Sequence, residues 1–191
     1  MSEIHIDALL PQEMASRAEM LGVRKAEMPL LKMFMLAVLA GAFISLGAIF
    51  STTVSAGSIT FAAQGDGLAY SESLPYGVTR LLAGLVFCLG LILVVVGGAE
   101  LFTGNNLIVM AWANGKVSTG RLLRNWTIVY FGNFVGSLGT AVLMFLARQY
   151  EFGRGAVGVT ALNIAVTKVN FDFVQALALG ILCNGLVCLA V

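Results

Sequence analysis

Residues 81–113 read LLAGLVFCLGLILVVVGGAELFTGNNLIVMAWA, 33 residues with a single charge, Glu100. As one straight helix the stretch would run about 50 Å at helical rise, against about 30 Å of bilayer hydrocarbon. Tilt absorbs only a modest excess. Gly97, Gly98, Gly104, Asn105 and Asn106 sit where a break would relieve it. The spacing predicts a helix that stops near Gly98, an irregular stretch over 98–105, and a second half-helix from near Asn105. Irregular backbone at membrane depth survives only where protein or a water-filled cavity satisfies its polar groups. In transporters a broken helix marks the binding site, because half-helix ends aim partial charges at the substrate.

Working outward, the whole composition agrees with a membrane setting. The chain has 191 residues, 59% hydrophobic and 11% charged, with net charge +1 and mean hydropathy +0.92. Soluble domains are about 45–50% apolar and about 25% charged, and a chain this short cannot bury so much apolar surface alone. A nucleic-acid partner would need a basic surplus, and disorder needs low hydrophobicity. Both are excluded, and the lipid bilayer is the expected partner.

The charges are clustered with membrane-sized gaps between them. None falls between Lys32 and Asp66, in 81–99, in 125–147 or in 173–191. Four spans follow: about 31–55, 81–113 broken near 98–105, 125–147 and 174–191. Residues 1–30 read as a cytoplasmic amphipathic helix, with Pro11 in its first turn and Leu10, Met14, Ala18 and Leu21 as its apolar stripe. A structural collar on the membrane surface is one role for it, and regulation is the other. Residues 31–191 form the transmembrane domain, and 57–75 an ordered external loop. Arg17, Arg24, Lys25, Lys32, Lys116, Arg121 and Arg124 fall on one side of these spans, four other basic residues on the opposite side. That bias places the N-terminus in the cytoplasm. No signal-peptide layout precedes the first span.

The run Gly97-Gly98-Ala99-Glu100-Leu101-Phe102-Thr103-Gly104-Asn105-Asn106 resembles a signature of the formate/nitrite transporter family. The resemblance continues in Asn125-Trp126, in Tyr130-Phe131-Gly132-Asn133-Phe134-Val135-Gly136-Ser137, and in the fourth span through Leu179-Gly180-Ile181-Leu182-Cys183-Asn184 to Val191. Ala8-Leu9-Leu10-Pro11 with Met14 is most similar to the formate-channel branch. The resemblance implies an all-α polytopic membrane protein, an aquaporin-like inverted-repeat helical bundle assembled as a homopentamer in the bacterial inner membrane. It implies passage of small monovalent anions, formate first, with nitrite or hydrosulfide as alternatives. It places Thr103 at the centre of the pore, Phe87 and Leu91 on constrictions, Phe102 beside the loop, and Lys168 where anions are drawn in. It also implies two further spans with a mid-membrane histidine. The only histidine here, His5, cannot serve, and Val191 follows the fourth span directly. The sequence is therefore expected to be a fragment of a longer protein.

Each residue also has a plainer reading. A hydroxyl such as that of Thr103 often bonds a carbonyl of its own helix. Beside a break, it and free N–H groups can instead meet an anion, since a helix N-terminus carries about half a positive charge. Glu100, an acid in lipid, invites a functional reading. Yet an anion pathway gains nothing from a facing carboxylate, so Glu100 is expected to accept backbone N–H bonds that hold the loop, with Gly104 and Asn105 completing it. A proton relay is the alternative. Phe87, Leu91 and Phe102 can be packing residues or apolar rings that gate by dewetting. Lys168 can be a solvated lysine. Asn133 and Asn184 are expected to bond across helices, and Gly132 with Gly136, together with Gly41, Gly47, Gly84 and Gly90, to permit close packing. The three cysteines lie in apolar segments, so no disulfide is expected. Neither a metal cluster nor a phosphate loop is present in the sequence. No cofactor and no enzyme chemistry are expected. A non-conducting membrane scaffold is the remaining alternative.

Overall fold

A computed structural model describes residues 10–57, 59–64, 67–72 and 74–191. His5, Ala8, Leu9 and Asp66 lie outside the described residues. Eight helices follow in chain order: α1 (Pro11–Ala26), α2 (Leu30–Ala56), α3 (Tyr76–Val96), α4 (Phe102–Asn105), α5 (Ile108–Ala113), α6 (Thr119–Leu146), α7 (Ala156–Val169) and α8 (Phe173–Ala190). Helices α2, α3, α6 and α8 are long and apolar enough to cross a membrane. They match the four expected spans, and α4 and α5 are the lower part of the broken second one. Ser118 caps α6 by accepting the Arg121 N–H, and Asp172 caps α8 by accepting that of Gln175 at 2.9 Å.

Two connections are more structured than the sequence reading allowed. The loop after α2 contains an antiparallel hairpin, β1 (Ile59–Gln64) with β2 (Gly67–Glu72), in register from Ile59↔Glu72 to Gln64↔Gly67. Gly65-Asp66 separates the strands in sequence, a pair that two-residue hairpin loops favour. Between α6 and α8 the chain makes a 3-10 turn at Gln149–Glu151 and then α7. Ala156 and Val157 of α7 pack on Ala56 at the end of α2.

Helix α2 is the axis, and α3 and α6 close on it through glycines. A Cβ on Gly136 would overlap the Val38 carbonyl, one on Gly41 the Asn133 backbone, and one on Gly132 the Ala37 side chain. On the other flank, Gly47 and Gly90 face each other, and a Cβ on Gly47 would stand 2.8 Å from the Phe87 carbonyl. The expectation for these glycines holds. Gly84 is the exception: a Cβ there meets open space.

Helix α1 packs on the bundle through one face and leaves most of its apolar stripe, the face a membrane-surface collar would turn to lipid, uncovered. Its stripe of Leu10, Met14 and Leu21 is exposed, and the packed face is Glu19, Gly22 and Ala26. The reason is closeness. Gly22 lies against Ile108 and Ala111 of α5, and Ala26 joins Ile108, Ala111, Val117 and Leu122 in one cluster. Ion pairs then fasten the edge: Lys116 to Glu19 at 2.7 Å and Arg121 to Glu27 at 2.8 Å. Lys116 first, and Asn114 second, hold the Glu19 carboxyl below its ordinary pKa by hydrogen bonding its charged form.

Two outcomes test this packing. Gly136→Ala should lower stability by about 1–3 kcal/mol through overpacking, read as a lower thermal midpoint of the detergent-solubilised protein, whereas Gly120→Ala, at an open position, should leave that midpoint nearly unchanged. Because Glu19 has a lowered folded pKa, its contribution is present above the ordinary carboxylate value and fades as pH falls through the folded one. Proteolytic nicking of α1 should rise below about pH 4, and Glu19→Gln should remove that dependence.

Candidate functional site

Helix α3 ends in a closed turn built on glycine. Gly98 takes φ +61, its N–H donates to the Val95 carbonyl at 3.3 Å, and the Ala99 N–H to that of Val94 at 3.0 Å. This is the Schellman arrangement, in which a left-handed residue satisfies the last helical carbonyls. Residues 99–101 then leave regular structure, with Leu101 extended. The break therefore falls over 97–101, and the second half-helix begins at Phe102 rather than near Asn105. A turn at Asn106 and Leu107 separates α4 from α5.

The opened backbone finds its partners on α2 and α6. The Glu100 N–H donates to the Leu36 carbonyl at 3.2 Å. Asn133 of α6 brackets the segment: its Oδ1 accepts the Phe102 N–H at 2.9 Å, and its Nδ2 donates to the Glu100 carbonyl at 2.9 Å and to Ala37 O of α2 at 2.7 Å. Trp126 Nε1 donates to the Asn105 carbonyl at 3.2 Å, capping α4. Asn184 also bonds across helices, its Oδ1 accepting from Asn106 Nδ2 at 3.0 Å.

Glu100 is 3% exposed and does not bond the loop's backbone N–H groups as expected. Its Oε1 accepts from the Lys25 ammonium at 2.9 Å and its Oε2 from Asn105 Nδ2 at 2.7 Å. Lys25 also donates to Asn105 Oδ1 at 2.9 Å. Asn105 Nδ2 reaches Asn125 Oδ1 at 2.9 Å, and Asn125 Nδ2 returns to the Lys25 carbonyl at 3.0 Å. Asn105 and Asn125 are fully buried. Here a carboxylate in an apolar span is paired with a cation and closed into an amide network, which is what its burial requires. The sequence reading missed Lys25, counting it only toward the cytoplasmic bias. Its pairing is set by α1 docking 75 residues upstream of Glu100, and no local spacing reveals that.

Thr103 is the second residue of α4 and half-buried. Its carbonyl accepts from Cys188 Sγ of α8 at 3.5 Å, and the Val191 side chain lies 3.8 Å from where a Gly104 Cβ would stand. Thr103 thus sits at the seam between α4 and α8. Among the described residues no hydrogen bond engages its hydroxyl, to a carbonyl of its own helix or to any other group. The first N–H groups of a helix have no acceptor within it. That of Phe102 goes to Asn133 and that of Asn105 to Leu101 O at 2.9 Å. Those of Thr103 and Gly104 have no acceptor in the described hydrogen bonds.

The other candidate residues separate. Phe87 and Leu91 lie one turn apart on α3, Phe87 38% exposed and Leu91 half-buried. The face of α3 that packs on α2 carries Ala83, Gly90 and Val94 instead. The Phe102 ring is seated edge-on against Tyr130 at 5.6 Å and Trp126 at 6.4 Å, beside the cluster of Met33, Ala37 and Val129. It anchors the segment to α6. Lys168 lies in the last turn of α7, its ammonium 5.2 Å from the centre of the Phe171 ring, and no described contact joins it to the break.

The chain as a whole is similar to known proteins. A family model described as "Formate/nitrite transporter" matches residues 12–191. Formate channel FocA of Escherichia coli strain K12 is 45% identical over 97% of this chain and 60% of its own length. FocA of Haemophilus influenzae is 39% identical over 96% of this chain and 60% of its own. A solved structure titled "Pentameric formate channel with formate bound" superposes with TM-score 0.72 at 46% identity, covering 84% of this chain and 58% of that one. The chain thus spans about 60% of the length of these curated relatives. It is a membrane protein with the helical fold of those channels, and it belongs to the formate/nitrite transporter family.

Proposed function

We propose that the protein, in its full-length form, passes small monovalent anions across the bacterial inner membrane, with formate as the principal one, and that it works as a homopentamer. The observation that carries this reading is the break after α3, where Thr103 offers an unengaged hydroxyl beside two unengaged N–H groups within a membrane span. The names of the relatives support formate and the pentamer. The N-terminus and α1 lie in the cytoplasm on this reading, because Lys116, Arg121 and Arg124 gather with α1 at one end of the bundle. The protein is a transporter and not an enzyme.

The mechanism follows from the cost of charge in hydrocarbon. A bare anion at the bilayer centre is unfavourable by several kcal/mol. Lys168 and the outer mouth raise the local anion concentration. Phe87 and Leu91 form apolar constrictions that narrow the path and remove hydration water. The Thr103 hydroxyl and the first-turn N–H groups of α4 receive the carboxylate, each supplying a charge-assisted hydrogen bond. Phe102 holds α4 against α6 so that these donors stay aimed. Protonation to the neutral acid would lower the barrier further.

Three outcomes are expected of the full-length protein. In proteoliposomes it should take up formate, and Thr103→Val should reduce the rate about 10- to 100-fold, since a hydrogen bond to a charged group is worth about 1.5–3 kcal/mol. Stopped-flow uptake that is unaffected by the substitution would remove Thr103 from the path. Lys168→Met should lower uptake at low ionic strength and matter little at high salt, where surface steering is screened. Native mass spectrometry should show five copies per particle, the stoichiometry its structural relative is titled with.

A further inference from the structure

We infer that the cavity between the C-terminal halves of α2 and α6 is a lipid site: it holds an acyl chain of an anionic phospholipid, with the headgroup at the turn after α6. The inference does not rest on the transport reading. Helices α2 and α6 touch backbone to backbone where Gly41 meets Asn133 and Gly136 meets Val38. Beyond that contact they leave a cavity of about 370 Å³ between them, with Val157 and Ala161 of α7 as its third wall. It lies at the end of the bundle away from α1, which packs on the first turn of α6 at Leu122. Its walls look polar in sequence but offer no free donor. Ser45 Oγ donates to the Gly41 carbonyl at 2.8 Å, Thr52 Oγ1 to that of Ala48 at 2.8 Å, and Ser137 Oγ to that of Gly41 at 3.3 Å. Each hydroxyl spends its proton on a helix carbonyl, and between them the lining is Ala48, Ile49, Ala141 and Met144. A bound water needs two to four polar partners; a hydrocarbon chain needs none. From Ser45 to Thr52 the wall rises about 10 Å along the helix, within the roughly 15 Å of hydrocarbon in one leaflet.

The rim has the opposite character. Phe145 and Tyr150 stack there with ring centres 5.5 Å apart, Gln149 Nε2 reaches Thr53 Oγ1 at 3.4 Å, and the Tyr150 hydroxyl has no partner among the described hydrogen bonds. Tyrosines gather at the level of lipid headgroups, where one end of the ring is apolar and the other wet. Residues 148–154 add Arg148 and Arg154 against one carboxylate, Glu151. The Arg148 side chain is 73% exposed and stands 3.8 Å from Glu151. An exposed pair of that kind holds a guanidinium weakly and leaves it donors for a phosphate, which arginine binds through two parallel hydrogen bonds. An anionic phospholipid answers both halves, with a chain for the cavity and a negative headgroup for the rim. The apolar surface of another span answers only the first.

The test uses the full-length protein, delipidated in detergent and incubated with phosphatidylglycerol that carries a photoreactive diazirine in one acyl chain. Phosphatidylethanolamine with the same label is the zwitterionic comparison. After illumination and digestion, adducts should fall within 45–52 and 137–145, and phosphatidylglycerol should label these segments about fivefold more strongly than phosphatidylethanolamine. Ala141→Phe fills the cavity and should lower that labelling about tenfold. Val142→Phe, one residue on and outside the lining, should leave it unchanged. Arg148→Gln combined with Arg154→Gln should remove the preference for phosphatidylglycerol while the labelled segments stay the same. Labelling that misses these segments, as it would if another span or subunit filled the cavity, would overturn the proposal. So would labelling that Ala141→Phe leaves intact, or equal labelling of the wild type by the two lipids. Should Ala141→Phe fail to fold on size exclusion, the wild type still decides: label in 45–52 and 137–145 should saturate with lipid concentration while total label per chain keeps rising, and a rise without saturation would count against a site.

Discussion

Everything in this fold depends on a requirement of lipid: a peptide group that leaves a helix inside the membrane must find a partner in protein. Residues 97–101 leave the helix, and an unsatisfied backbone group there would cost several kcal/mol. One side chain, Asn133, meets much of that demand. It takes the Phe102 N–H and gives to the Glu100 and Ala37 carbonyls. Asparagine is short, so it reaches α2 and the broken segment together only if α6 lies almost on α2. Gly132, Gly136 and Gly41 make that approach possible, since each sits where a Cβ would collide with the opposing helix. The small-residue seam thus brings Asn133 within reach of the broken helix.

The second constraint is the buried carboxylate. Glu100 could not remain charged in an apolar span without a cation, and no residue of α2, α3 or α6 provides one to it. The cation comes from α1, a helix outside the spans. That explains why α1 docks through small residues: Gly22 and Ala26 bring its backbone against α5, close enough for Lys25 to reach inward.

Much of this was legible in the sequence, and the boundary of legibility is physical. The four spans were readable because charge-free runs of about 20 residues have a single explanation in lipid. The interruption was readable because 33 residues do not fit the bilayer. Its position was off by a few residues, since Gly104 and Asn105 read as loop formers when Gly98 alone, at φ +61, makes the turn. Close packing at Gly132 and Gly136 followed from their four-residue spacing. Glu100 was expected to hold the loop through backbone N–H groups, and its actual partner was hidden because the Lys25 contact is made by tertiary docking across 75 residues. The face of α1 that meets the bundle was not legible for a related reason: it packs by size and charge, through Glu19, Gly22 and Ala26, while periodicity marks only the apolar stripe. The hairpin after α2 and the helix α7 were hidden in segments that composition marks only as connections.

The disposition of charge around α4 also constrains what the site can be. A channel must bind its ion firmly enough to replace hydration and loosely enough to release it. A free ammonium facing an anion in a dry span would satisfy the first condition and violate the second. Among the described residues the lysine that reaches the break is already engaged, bonded to Glu100 and Asn105. The donors left at Thr103 and Gly104 are a neutral hydroxyl and two amides. On the proposed reading, dipoles of this kind would offset an anion's desolvation in part and hold no net charge that would trap it. Pairing Glu100 with Lys25 leaves weak, neutral donors at the seam between α4 and α8.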